Sequence, residues 1–127
     1  MKFVPTWFHG ILDYVAGIAL ILAPNIFMFS GMGGPAVVIP RTLGVGLIIY
    51  SLLTNYEWSV AKIIPMPVHL LFDFIAAVVL AASPWIFGFS TGPMNAWMPH
   101  LVSGIIVIAL VAVSKTHPDP MRMMRSI

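Results

Sequence analysis

The stretches "HGILD" at residues 9–13 and "HLLFD" at residues 69–73 each place a histidine and an aspartate four residues apart in an otherwise apolar run. Four residues is about one helical turn, so each pair shares a helix face. Working outward, residues 2–30 align with 62–90 without a gap. The alignment pairs Lys2 with Lys62, Pro5 with Pro65, His9 with His69, Asp13 with Asp73, Ala16 with Ala76, Leu20 with Leu80 and Pro24 with Pro84, then "IFMFS" with "IFGFS". Identity at fixed spacing is the mark of an internal repeat. The second halves match more loosely, "IPRTLGVGLIIYSLLT" against "MPHLVSGIIVIALVAVS". One deletion in the preceding loop then pairs Pro40 with Pro99 and Arg41 with His100. Repeat 1 is read at 2–55 and repeat 2 at 62–114.

Of the 127 residues 60% are hydrophobic and only 8% charged, against roughly a quarter charged in soluble domains. The composition is that of an integral membrane protein. Apolar runs near 5–23, 37–54, 65–83 and 98–114 approach the ~20 residues that cross a hydrocarbon core. Prolines at or near their starts cost little, because the first turn of a helix leaves its N–H groups unpaired in any case. The expected fold is all-α, a single transmembrane domain over 1–127: a four-helix bundle built from two parallel two-helix repeats, with a short cytoplasmic tail at 115–127. Asp13 and the mid-chain recurrence of the first segment argue that the first helix is retained and is not a signal peptide.

Lys2, Lys62, Lys115, Arg122 and Arg125 fall on the side of both termini, and the loops "SGMGGP" and "STGPMNAW" are uncharged. By the positive-inside rule both termini are expected in the cytoplasm. Trp7, Tyr56 and Trp58 are then expected at the inner interface, and Phe27, Phe29, Trp85, Phe87, Phe89 and Trp97 at the outer one. Arg41 and His100 are expected to snorkel to outer headgroups, His117 to be solvated, and the tail arginines to meet anionic lipid. A net charge of +2 with basic residues at segment ends points to no nucleic-acid partner. The expected partners are the lipid bilayer and a homo-oligomer or larger membrane complex.

Ser83-Pro84-Trp85 stands at the outer end of the third span, inside this doubled helix pair. In that setting the chain resembles the SPW repeat family of small bacterial and archaeal membrane proteins. The first repeat reads Ala23-Pro24-Asn25 and keeps only the proline. The resemblance implies the duplicated architecture and a bacterial or archaeal cytoplasmic membrane, and it carries no catalytic residue across.

Cysteine is absent, so any metal here uses His and carboxylate ligands. Beyond each pair the same face continues into small residues, Ala16 and Gly17 or Ala76 and Ala77, which allow close helix approach. Both pairs are therefore expected to point into the bundle, away from lipid. Four uses stay open. One is polar packing in a non-catalytic structural or accessory subunit. A second is a zinc-like site of His9, Asp13, His69 and Asp73. A third is haem b with His9 and His69 as axial ligands, and the fourth is a proton or ion relay. Gly44, Gly46, Ser103 and Gly104 are expected at close helix contacts. No serine nucleophile with a base, paired hydrolytic carboxylates or phosphate loop can be placed, which argues against an enzyme.

Overall fold

A computed structural model describes residues 2–115; His117, Arg122, Arg125 and most of the tail fall outside the described residues. The described part is helical: α1 Thr6–Ile26, α2 Gly34–Leu52, α3 Met66–Ile86 and α4 Met94–Val113, with a single 3-10 turn at Ser30–Met32. All four helices are long and apolar enough to cross a membrane, and 19–21 residues at ~1.5 Å each span about 30 Å. The chain is an integral membrane protein whose described residues form four long helices.

Prolines punctuate the helices. Pro5, Pro65 and Pro93 stand immediately before α1, α3 and α4. Pro24 and Pro84 lie within the last turns of α1 and α3. Having no N–H, Pro84 leaves the carbonyl of Leu80 without its helical donor. The Ser83 hydroxyl donates to that oxygen at 2.7 Å. Serine before proline is thus a local repair, and Trp85 beyond it is exposed, its ring edge-on to Trp97. The helices α2 and α4 begin three or four residues earlier than the sequence suggests, which puts Pro40 and Pro99 inside them.

The chain forms two helix hairpins, α1 on α2 and α3 on α4, joined mainly through α2 and α3. Each hairpin closes on a missing side chain. A Cβ on Gly44 would lie 2.6 Å from the Gly17 carbonyl, and one on Gly104 would lie 2.6 Å from that of Ala77. These contacts correct the looser half of the alignment. Gly44 matches Gly104 and Ala36 matches Ala96, with no gap, so Pro40 stands opposite His100 rather than Pro99. The connections 27–33 and 87–93 are equally long, so no deletion is needed, and Pro40 and Pro99 lie inside α2 and α4 one residue out of register with each other.

At one end of the bundle the hairpins are stitched crosswise. Val4 lies beside Ser114 and Ile64 beside Thr54 in single backbone bridges. Lys115 N–H donates to the Val4 carbonyl at 2.8 Å and Asn55 N–H to that of Ile64 at 2.6 Å. The start of each repeat is thereby tied to the end of the other. This end, the stitched end, also carries the segment between the repeats.

Several aromatics depart from their expected interface positions. Phe29 and Phe89 are buried with Ala36, Val37 and Ala96 at the far end. Tyr56 is fully buried at the stitched end, against Met66 and Leu70. The hairpin contacts enclose these rings, whereas Phe27, Trp58, Trp85 and Phe87 stay exposed.

Candidate functional site

His9 and Asp13 come from the first turns of α1, His69 and Asp73 from those of α3, and all four are buried. One ligand atom from each lies within 4.8 Å of the others. His9 Nε2 is 3.2 Å from Asp13 Oδ1 and 3.0 Å from Asp73 Oδ2. His69 Nε2 is 2.9 Å from Asp13 Oδ2 and 3.2 Å from Asp73 Oδ2. The two rings stand edge to face, centroids 5.6 Å apart and planes at 78°. The structure thus brings together the full set of candidate residues.

The other ring nitrogens are held by hydroxyls that the sequence reading missed. Thr54 Oγ1 donates its single hydrogen to the Tyr50 carbonyl at 2.6 Å, four residues back. Facing His69 Nδ1 at 2.6 Å, that oxygen can only accept, so Nδ1 carries the hydrogen. Ser114 repeats the arrangement, donating to the Leu110 carbonyl at 2.6 Å and accepting from His9 Nδ1 at 2.7 Å. Each hydroxyl belongs to the repeat opposite the ring it holds. Both Nε2 atoms are left to face the carboxylates. His9 Nε2 bonds to Asp73, but His69 Nε2 is misdirected for a hydrogen bond and has none.

Two tyrosines hold the carboxylates. Tyr56 Oη donates to Asp13 Oδ2 at 3.0 Å, and Tyr50 Oη donates to Asp73 Oδ1. Burial and the Asp13 charge push the Tyr56 hydroxyl well above the ordinary tyrosine range, so it stays protonated and donates. This support is not duplicated: the residue matching Tyr50 is Leu110, and Tyr56 lies between the repeats. An equal spacing of Thr54 and Ser114 after His9 and His69 was the available sequence signal for the hydroxyls. Nothing comparable marks the tyrosines.

Arg41 and His100, both expected to snorkel, behave differently. Arg41 is partly exposed and donates to Asn25 Oδ1 at 2.8 Å. His100 is only 2% exposed, packed against Phe29 and Phe89. Its Nε2 lies 3.0 Å from the Ala36 carbonyl, the oxygen whose helical donor would be the missing N–H of Pro40. The Ala96 carbonyl 2.6 Å from Nδ1 already has the backbone N–H of His100 as its helical donor, so it is in the Nε2–H tautomer that His100 supplies, across the bundle, the hydrogen that Pro40 cannot. Replacing His100 with Leu should cost about 1–3 kcal/mol by orphaning that oxygen, read as a lower unfolding temperature in detergent. Adding Pro40→Ala should recover part of the loss by restoring the N–H.

A bundle of four membrane helices folded from two like hairpins, with a His2Asp2 cluster sealed between them, defines a class of small duplicated membrane proteins. The chain belongs to the SPW repeat family, whose SPW repeat domain model matches residues 6–114. Comparison with curated proteins and with solved structures gave no match.

Proposed function

We propose that this is a non-catalytic membrane protein that holds one divalent transition-metal ion, of the zinc type, between His9, Asp13, His69 and Asp73. The observation that carries this reading is the commitment of each Nδ1–H to a hydroxyl. It leaves two Nε2 atoms converging on two carboxylates, one of them, on His69, without a hydrogen bond. Metal-bound histidines commonly donate their other N–H in this way, which fixes the ring and its tautomer. Tetrahedral zinc with bonds of ~2.0–2.2 Å sets its ligands about 3.3–3.5 Å apart. The Nε2–oxygen distances of 2.9–3.2 Å are close to that separation, and the four ligand atoms, which lie within 4.8 Å of one another, would draw in by up to about 1.3 Å at the widest pair to reach it. Two carboxylates also neutralise a dication inside the bilayer.

Haem b has less support, because the Asp13 and Asp73 oxygens lie against both Nε2 atoms, in the gap a macrocycle would occupy. The second reading is a metal-free clasp of two imidazolium rings and two carboxylates, favoured by the 3.0 Å bond between His9 and Asp73. Elemental analysis after mild detergent extraction separates the two. One zinc, iron or manganese per chain, displaced by acid because Nε2 must be unprotonated to bind, supports the metal site; metal-free protein unchanged by added zinc overturns it. Thr54→Val and Ser114→Ala should each weaken the bound ion by about 10–100-fold, measured by competition with a chelator.

The matched contacts support two copies related by a two-fold axis along the membrane normal. Lys2, Lys62 and Lys115 at the stitched end support placing that end, with both termini, in the cytoplasm of a bacterial or archaeal cell. The cluster is interior to one chain, so any oligomer or larger complex uses the lipid-facing helix surfaces.

A further inference from the structure

The surroundings of the cluster differ at its two ends. On the stitched side lies the segment 55–61, folded back on α2 by the Val60 and Ala61 N–H groups, which both donate to the Leu52 carbonyl at 3.0 Å. It is pinned to α1 at several points. Thr6 Oγ1 donates to the Glu57 carboxylate at 2.8 Å, and Trp58 Nε1 to the Trp7 carbonyl at 2.8 Å. Tyr14 Oη donates to the Trp58 carbonyl at 2.7 Å, and Tyr56 reaches Asp13. Gly10 makes the notch that receives this strap: a Cβ there would lie 2.9 Å from Trp58 Cδ1 and 3.4 Å from the Tyr56 ring. Repeat 2 has Leu70 at the matching position. Tyr56 in this segment is fully buried with its hydroxyl on Asp13, and Trp58, two residues on, is half-exposed, so the segment reaches from the cluster to the surface of the protein.

Toward the far end the interior offers a cation very little. A cavity of about 30 Å³ touches Asp73 and one of about 10 Å³ touches His100, and Leu20 and Leu80 line both. Such volumes hold a water or two. Among the residues lining them Asp73 is the only carboxylate, and His100 has its ring nitrogens against the Ala96 and Ala36 carbonyls. A dication moving this way would shed its ligands into an apolar wall, at a desolvation cost far above that of lifting one strap.

We infer that the metal site, on the reading given above, exchanges with one aqueous phase only, that bathing residues 55–61, and that this segment is its gate. The protein then holds or senses an ion from one side of the membrane and does not pass it across.

The chain has no cysteine, so Val60→Cys, at a position 85% exposed, reports which way the segment faces when reconstituted vesicles meet an impermeant thiol reagent. With zinc loaded and an impermeant chelator added outside, the fraction of ion released should equal the fraction of protein labelled. Tyr56→Ala with Trp58→Ala should speed release by at least about tenfold, equivalent to ~1.4 kcal/mol off the opening barrier. Should that pair fail to fold, Gly10→Ala displaces Trp58 with one methyl and should also speed release. Leu20→Ala with Leu80→Ala should leave the rate unchanged. Full release regardless of orientation, a rate that responds to the leucines, or a rate indifferent to the strap overturns the gate while the metal reading stands. Wild-type protein that takes up no ion overturns both.

Discussion

Replacing His9 and His69 together with Ala should abolish ion binding and cost the protein a large share of its thermal stability. Removing the rings releases the ion they hold, or in the metal-free clasp removes the imidazolium charge itself, and so leaves Asp13 and Asp73 buried with less compensating charge. Breaking one buried charge pair typically costs about 3–5 kcal/mol, so even His69→Ala alone should lower the unfolding temperature in detergent sharply. The mechanism has its own control. Adding Asp13→Asn to His69→Ala removes one of the stranded charges and should restore part of the stability without restoring the ion. Were the double histidine variant as stable as the parent, the cluster would be solvated and the account of its burial wrong.

Gly104→Val and Gly44→Val should be nearly as damaging, for reasons of volume alone. At Gly104 the first added carbon would lie 2.6 Å from the Ala77 carbonyl oxygen and 2.8 Å from the Ala81 nitrogen. Both are backbone atoms, which no rotamer change can move. The hairpin must open, and overpacking of this kind costs about 1–3 kcal/mol and occasionally more. The site should register it at a distance, because α4 carries Ser114 just beyond its end. Weaker ion retention with the four ligands untouched is the expected signature, read by the same chelator competition. Gly46, which has nothing within 4 Å of an added Cβ, should accept Ala with little effect on either measure.

Much of this was legible in the letters. Four apolar runs, punctuated by proline and written twice, sufficed for the number of helices and their pairing into hairpins. The pattern His9-x-x-x-Asp13, repeated at His69 and Asp73, marked the polar face, because an ionisable group in a membrane helix must turn away from lipid. That the two pairs meet depended on helix rotation, which one-dimensional spacing does not contain. The supports were harder still. Thr54 and Ser114 look like ordinary helix-end residues until the crosswise stitch brings each to the opposite histidine. Tyr56 and His100 were misplaced for a common reason. An aromatic or a histidine near a helix end usually meets the interface, and only the packed structure shows that a strap or a proline-freed carbonyl claims it.

The reciprocal holding of each imidazole by a hydroxyl from the other repeat bears on how the chain is made. When α1 and α2 have been inserted and α3 and α4 are still to come, His9 lacks Ser114, and Asp13 lacks both His69 and the settled Tyr56. The first hairpin must wait in the bilayer, or at the mouth of the insertion machinery, with an aspartate about two turns into α1 and only His9 beside it. Completion by the second hairpin is then driven by polar satisfaction as well as by packing. A single-hairpin ancestor would have faced the same need and could have met it only by pairing with its twin.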